Sequence, residues 1–245
     1  MASFDFDHVF GDDYLHFYEA LLPDERSQQE TDLIVRLIGL VHGARVLDIP
    51  CGHGRIAQRL AAVGCEVVGV DNNPSFLEVA KRAGGATDYI LADMRQFAPN
   101  AEFDAVVNWF TSFGYFDDDT DKAILATWRR ALKPGGKLII DHQNRQRLIA
   151  LIAAAGGHAV VLTQRGDDLL IDRTNFDVTT GRTNTERISV RDGRVRRYPF
   201  SVRTFAFTEL RDWLLEAGFA EVVGYGAEGE PFTLSSRRMV IVAST

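Results

Sequence analysis

Arg45-Val46-Leu47-Asp48-Ile49-Pro50-Cys51-Gly52-His53-Gly54 decides the fold. A short apolar run ends in an acid and then enters a loop with two spaced glycines. Arg55 to Val63 follows as a helix stopped by Gly64. Strand, glycine loop and helix in that order open a parallel α/β sheet whose loop cradles a ligand. The pattern continues outward. Glu66 to Asp71 reads as a second strand, and Asn73-Pro74 opens a helix to about Ala83, because proline suits a first helical turn. Asp88 to Met94 and Phe103 to Phe110 read as strands three and four, and Asp118 to Leu132 as a helix. Lys133-Pro134-Gly135-Gly136 is a turn into a fifth strand, Lys137 to Asp141. Alternation of strands and helices at this spacing predicts a doubly wound parallel sheet with helices on both faces.

Upstream of this block, Leu33, Ile34, Leu37, Ile38 and Val41 recur at helical spacing, which predicts a helix from about Ser27 to Leu40. Tyr14, Phe17 and Tyr18 stand at i, i+3 and i+4 and suit a short helix. Downstream, four strand-like runs are punctuated by Gly166-Asp167, Thr180-Gly181 and Asp192-Gly193. Asp-Gly is a strong hairpin signal, so this part reads as an antiparallel insertion. Thr208 then caps a helix to Ala217, and strands near Ala220 to Tyr225 and Arg237 to Ala243 follow. The expected organisation is a lid or cap segment over 1–43, a core over 44–157, the insertion over 158–205, and a final helix with two strands over 206–245.

Composition narrows the function. The chain of 245 residues is 46% hydrophobic and 25% charged, ordinary proportions for a folded domain. A net charge of −7 argues against broad nucleic-acid binding, which needs a basic footprint. Two cysteines exclude a four-cysteine zinc site and point to a reducing compartment, so no metal is expected. No apolar run reaches the roughly 20 residues of a membrane span. The first eight residues are acidic and aromatic, unlike a signal peptide. A cytoplasmic protein, monomer or homodimer, is expected.

Gly52-x-Gly54 after a strand, with Asp71 nineteen residues on, also fits a dinucleotide fingerprint. Asp48 separates the two readings. A carboxylate beside the ligand repels a pyrophosphate, whereas it favours a ligand that carries an ammonium and a sulfonium and no phosphate. S-adenosylmethionine (SAM) is such a ligand.

Val46 to Gly54 resembles the first motif of class I SAM-dependent methyltransferases. Asp71 resembles the acid that binds both ribose hydroxyls. Ala92-Asp93-Met94 resembles the segment that holds adenine, with the Asp93 carboxylate on the exocyclic amine and the Met94 N–H on the ring. Asn108 to Gly114 stands where the family's active-site loop begins, and Leu132 to Leu138 resembles the turn into strand five. The resemblance implies a Rossmann-like seven-stranded sheet with an antiparallel β insertion, SAM as methyl donor and S-adenosylhomocysteine (SAH) as product. It implies cofactor contacts at Tyr14, Tyr18, Asp48, Gly52, Gly54, Asp71, Asn72, Asp93, Met94 and Asn108. Two departures stand out. Pro50 stiffens the loop and removes an N–H donor. Asn108-Trp109-Phe110-Thr111 is not the Asn-Pro-Pro-Tyr of enzymes that methylate DNA or glutamine. The insertion resembles that of small-molecule methyltransferases, including glycine and amino-sugar N-methyltransferases.

Several residues carry a second, plainer reading. Asp48 and Asp93 also suit local caps, Asn72 suits a helix cap, and the Tyr14/Tyr18 stripe suits simple packing. Cys51 reads as an inert loop residue and Cys65 as core. Asn144 suits the cap of the next helix. His142 is either a general base for the acceptor or a residue bonded to the following turn. Tyr115 is a candidate acceptor contact. Arg187 and Arg191 alternate onto one face of the insertion, which reads as solvated, or as a site for an anionic acceptor or a partner subunit. The function expected is methyl transfer to N or O of a small-molecule acceptor. The alternatives are a SAM-binding regulator without catalysis and an NAD-dependent oxidoreductase.

Overall fold

The computed structural model of the protein describes residues 9–245. Residues 1–8, the start of the expected lid and the stretch read as no signal peptide, lie outside the described residues. Two helices, α1 (Asp12–Leu21) and α2 (Asp24–Ile38), precede the sheet. The core then runs β1 (Arg45–Asp48), α3 (Arg55–Ala62), β2 (Glu66–Asp71), α4 (Pro74–Arg82), β3 (Thr87–Leu91), β4 (Phe103–Asn108), α5 (Asp118–Ala131) and β5 (Leu132–Gln143). Helix α6 (Arg145–Ala154) leads to β6 (Ala159–Arg165), β7 (Asp168–Asp177), β8 (Arg182–Arg191) and β9 (Arg194–Arg203). The chain returns through α7 (Phe207–Glu216), β10 (Glu221–Tyr225) and β11 (Arg238–Ser244).

The main sheet has seven strands in the order β10-β11-β5-β4-β1-β2-β3, and the insertion forms a separate sheet in the order β6-β7-β8-β9. Strands β5, β4, β1, β2 and β3 are parallel, and β11 runs antiparallel to β5. Side chains alternate across the sheet, so each strand feeds two cores. Leu47, Val68, Val106 and Ile140 pack with Leu125 and Trp128 of α5 on one face. Val46, Val67, Val107 and Ile139 pack with Ile34 of α2 and Leu60 of α3 on the other. This double burial explains the near-continuous apolar runs in the parallel strands. The strand order reverses between β1 and β4, so Asp48 and Asn108 mark the mouth of a crevice at the carboxyl edge.

Several boundaries differ from the sequence expectation. Helix α2 starts at Asp24 and stops at Ile38, because Gly39 turns left-handed at φ 70°. Val41 consequently leaves the helix face and is 70% exposed. Strand β3 ends at Leu91 and β4 at Asn108, which leaves Ala92-Asp93-Met94 and Trp109-Phe110 in loops beyond the edge. Strand β5 continues to Gln143, because β11 pairs along it and sets Met239 opposite His142. Helix α7 begins at Phe207, not at a Thr208 cap, and the Ala206 N–H donates to Glu209 Oε2 (3.4 Å).

In β8 the face carrying Thr183, Thr185, Arg187 and Ser189 is the buried one. The solvated-face reading is corrected for Arg187, which is 4% exposed. Arg187 pairs with Asp172 through Nε (2.8 Å) and Nη2 (2.7 Å) and donates to the Tyr18 hydroxyl (2.8 Å). Asp13 accepts from Arg191 (3.1 Å) and lies 3.3 Å from Arg196. Helix α1 is thus tied by its polar residues to the inner face of the insertion. No helix among the described residues is long and apolar enough to cross a membrane.

Candidate active site

A cavity with about 1000 Å³ of empty space, its open mouth included, lies at the crevice between β1 and β4. Asp48, Gly52, Asp71, Asn72, Asp93 and Met94 line it, with Tyr14 and Tyr115. Eight of the twelve sequence candidates therefore meet in one space. The end of β1 delivers Asp48, the end of β2 delivers Asp71, and the loop after β3 delivers Asp93 and Met94.

The glycine loop is held from β2. Asp71 Oδ2 accepts the Gly52 N–H (2.8 Å) and Oδ1 accepts the Asn73 N–H (2.8 Å). Burial raises the Asp71 carboxyl above its usual range, and the backbone N–H groups of Asn73, Gly52 and Asn72 oppose it. Asn73, not Asn72, caps α4 by accepting from Ser75 N (2.9 Å) and Phe76 N (3.2 Å), so Asn72 is left to the cavity. Burial pushes Asp48 up to about 7, with Arg55 opposing and Asp71 adding. Asp48 Oδ2 is buried and has no hydrogen-bond partner. A buried carboxylate oxygen without a donor is costly, and a cationic ligand group satisfies it. Asp93 holds Arg95 through Nε (2.9 Å) and the main-chain N–H (2.8 Å), and Arg95 keeps its carboxyl below the usual range.

Aromatic rings close the other side. Tyr14 stacks on Tyr18 with centroids 4.1 Å apart, and the Phe10 ring stands edge-on to both Tyr14 (5.4 Å) and Tyr115 (5.6 Å). Burial raises the hydroxyls of Tyr14 and Tyr115 far above the neutral range, so both stay protonated. Glu30 of α2 ties the wall together by accepting from Arg55 (2.6 Å), Trp109 Nε1 (3.0 Å) and Arg26 (2.9 Å).

The family described as methyltransferase domain matches residues 46–136. Glycine/sarcosine N-methyltransferase of Parasynechococcus marenigrum (strain WH8102) is 32% identical over 213 residues, covering 82% of this chain and 72% of that protein. The chain belongs to the class I SAM-dependent methyltransferases. A ubiquinone biosynthesis O-methyltransferase of Xanthomonas oryzae pv. oryzae (strain PXO99A) is 33% identical over 131 residues, 51% of this methyltransferase and 54% of that relative. The chain thus spans only about half the length of that relative. Among solved structures, the CcbJ methyltransferase from Streptomyces caelestis superposes with a TM-score of 0.78 at 20% identity, covering 96% of each chain. The fold is therefore that of the family, including the insertion.

SAM is the cofactor of this methyltransferase, and the cavity's donor set fits it. The unpartnered Asp48 oxygen suits the ammonium, and the Asp71 carboxylate retains lone pairs for ribose hydroxyls.

Four candidates fall outside the cavity lining. His142 is corrected from base to core residue. It is fully buried in β5, its Nε2 lies 3.2 Å from the Phe113 carbonyl, and its ring stands edge-on to Phe205. Burial, with Arg238 adding, drives its pKa down to about 4, so it is neutral near pH 7. Asn108 is spent as a strut, its amide donating to the Ile49 carbonyl (2.8 Å). Gly54 serves packing behind the loop, at φ 80°, where a Cβ would meet the Tyr89 hydroxyl and the Ala80 methyl. Tyr18 stands one ring behind Tyr14, bonded to Arg187.

The lining also contains Arg55, Phe76, Trp109, Phe110, Ser112 and Phe116, none of them chosen from sequence. Trp109, Phe110 and Ser112 lie in the stretch after β4 that the family resemblance marks as an active-site loop, but nothing in the sequence singled out these side chains within it. Cys51 and Cys65 are buried, free and, with burial raising both thiols, inert.

Proposed function

We propose that this methyltransferase moves the methyl group of SAM to the nitrogen of a small-molecule amine, as a monomer or homodimer in the cytoplasm. One observation carries the reading: Asp48, Asp71 and the tyrosines Tyr14 and Tyr115 open into a single cavity at the switch point of the sheet. A bound cofactor supplies a sulfonium methyl as electrophile. The chain's own residues bind, orient and exclude water. Asp71 receives the ribose, Asp48 faces the ammonium, and the adenine lies along Ala92-Asp93-Met94. Asn72 and Gly52 complete the cradle. The rings of Phe10, Tyr14 and Tyr115 keep water from the transfer, which strengthens polar contacts inside. Holding donor and acceptor in line is the main catalytic contribution.

Nitrogen is favoured over oxygen on two grounds. The relative matched over 82% of the chain is named an N-methyltransferase, whereas the O-methyltransferase matches over 51%. A neutral amine attacks the methyl group without first losing a proton, whereas an alcohol needs a base to take one. With a charge of −7, a free small molecule is favoured over nucleic acid. The test is incubation with methyl-labelled SAM and paired amines and alcohols. N-methyl product with SAH release is expected, and label transferred only to hydroxyls overturns the choice of nitrogen.

A further inference from the structure

Two consecutive non-glycine residues at the cavity edge adopt the left-handed conformation, Phe110 at φ 62° and Thr111 at φ 59°. That region crowds Cβ against the backbone, and a β-branched residue there is an outlier. Such a conformation persists only where its surroundings over-determine it. The surroundings here are Asp141 and Arg238. The Phe110 N–H donates to Asp141 Oδ2 (3.0 Å), and the Thr111 N–H donates to the Asp141 carbonyl (3.0 Å). Arg238 donates from Nε to Asp141 Oδ1 (2.8 Å) and from Nη2 to Oδ2 (2.7 Å), and the same Nη2 donates to Thr111 Oγ1 (2.6 Å).

The register explains why these groups meet. Antiparallel pairing sets Val240 of β11 opposite Asp141 and Arg238 opposite Gln143, so Arg238 reaches Asp141 along the diagonal. Asp141 lies on the face of β5 opposite to buried His142, and it is 3% exposed. Neither Asp141 nor Arg238 lines the cavity, but Trp109, Phe110 and Ser112 do. The Phe110 ring is further flanked by the guanidinium groups of Arg26 and Arg55, each 5.3 Å from its centroid.

We propose that Asp141 and Arg238 are positioning residues: they hold Phe110-Thr111 in the left-handed conformation and so aim Trp109, Phe110 and Ser112 into the cavity where cofactor and acceptor meet. Removing the guanidinium leaves Thr111 free to relax out of a crowded region, and the wall moves with it. A glycine at 111 adopts the same φ without that crowding.

The test is calorimetric titration of the full chain with SAH. Arg238→Ala is expected to weaken SAH binding about tenfold, and Arg238→Ala/Thr111→Gly to return it to within about threefold of the parent. Thr111→Val removes only the hydroxyl bond and is expected to weaken SAH binding by about twofold to fivefold, which keeps the test decisive if Arg238→Ala does not fold. A pair that merely staples β5 to β11 lowers the melting temperature and leaves affinity alone. Unchanged SAH affinity in the folded variants, or a loss that glycine at 111 fails to reverse, overturns the proposal.

Discussion

Asp71 at the end of β2 accepts the N–H of Gly52 at 2.8 Å, so one carboxylate shapes the loop after β1 and faces the cavity as well. One side chain is therefore expected to couple the shape of the loop to cofactor binding. Asp71→Asn keeps the volume but replaces an oxygen acceptor by a donor. It is expected to weaken SAM by about 10- to 100-fold, the equivalent of roughly 1.5–3 kcal/mol per charged hydrogen bond. Calorimetry on a folded variant with unchanged affinity would remove Asp71 from the site.

Asp48 is expected to make SAM binding depend on pH. Burial holds its carboxyl at about 7 in the free protein, Arg55 opposing and Asp71 adding. A bound ammonium favours the ionised form, so affinity falls as pH drops through about 7, approaching tenfold per unit. Asp48→Asn is expected to bind SAM more weakly at high pH and to lose this dependence. Titrations at several pH values check it, and an identical slope in the variant excludes Asp48 as the source.

His142 is expected to act on stability and not on rate. Its pKa, held down to about 4 by burial and Arg238, lies below the unfolded value near 6.5. The folded state binds fewer protons between those values, so the stabilisation is full above about 6.5 and is lost as pH falls through about 4. His142→Gln is expected to flatten that part of the stability profile and to leave the pH dependence of turnover intact. A lost kinetic limb near neutral pH would restore the histidine as a base.

Arg187 joins α1 to the insertion. Its guanidinium holds Asp172 and the Tyr18 hydroxyl, and Tyr18 stacks behind Tyr14 of the cavity wall. Arg187→Met leaves Asp172 without its partner. The expected cost is about 2–3 kcal/mol, below the ~3–5 of a fully buried pair, because the Asp172 side chain is 19% exposed. Hydrogen exchange in α1 is expected to speed up and the SAM dissociation constant to rise. Unaltered exchange in Asp12–Leu21 would mean that α1 is held by other bonds.

Residues whose position depends on local order were legible in the sequence. Asp48 ends one short strand, Gly52 follows it and Asp71 ends the next, so their spacing set them at one sheet edge and the family resemblance assigned their roles. Residues whose role depends on distant pairing were not. His142 is in the core because β11 extends β5 past Asp141, and nothing near position 142 signals that register. Alternation in β8 put Arg187 and Arg191 on one face but could not say that this face turns inward against α1. Gly54 looked like a ligand contact, whereas its missing Cβ makes room for Tyr89 of a strand 33 residues later. Asn72 and Asn73 differ by one position, and only the helix start at Pro74 decides which of them caps.

Following the labelled methyl group tests transfer from SAM to an amine. Purified protein is incubated with methyl-labelled SAM and a panel of small amines, and the products are separated by mass. SAH release matched one for one by an N-methylated amine is expected, with both lost in Asp71→Ala. SAM binding without SAH release across the panel, or label recovered in nucleic acid or protein, would contradict it.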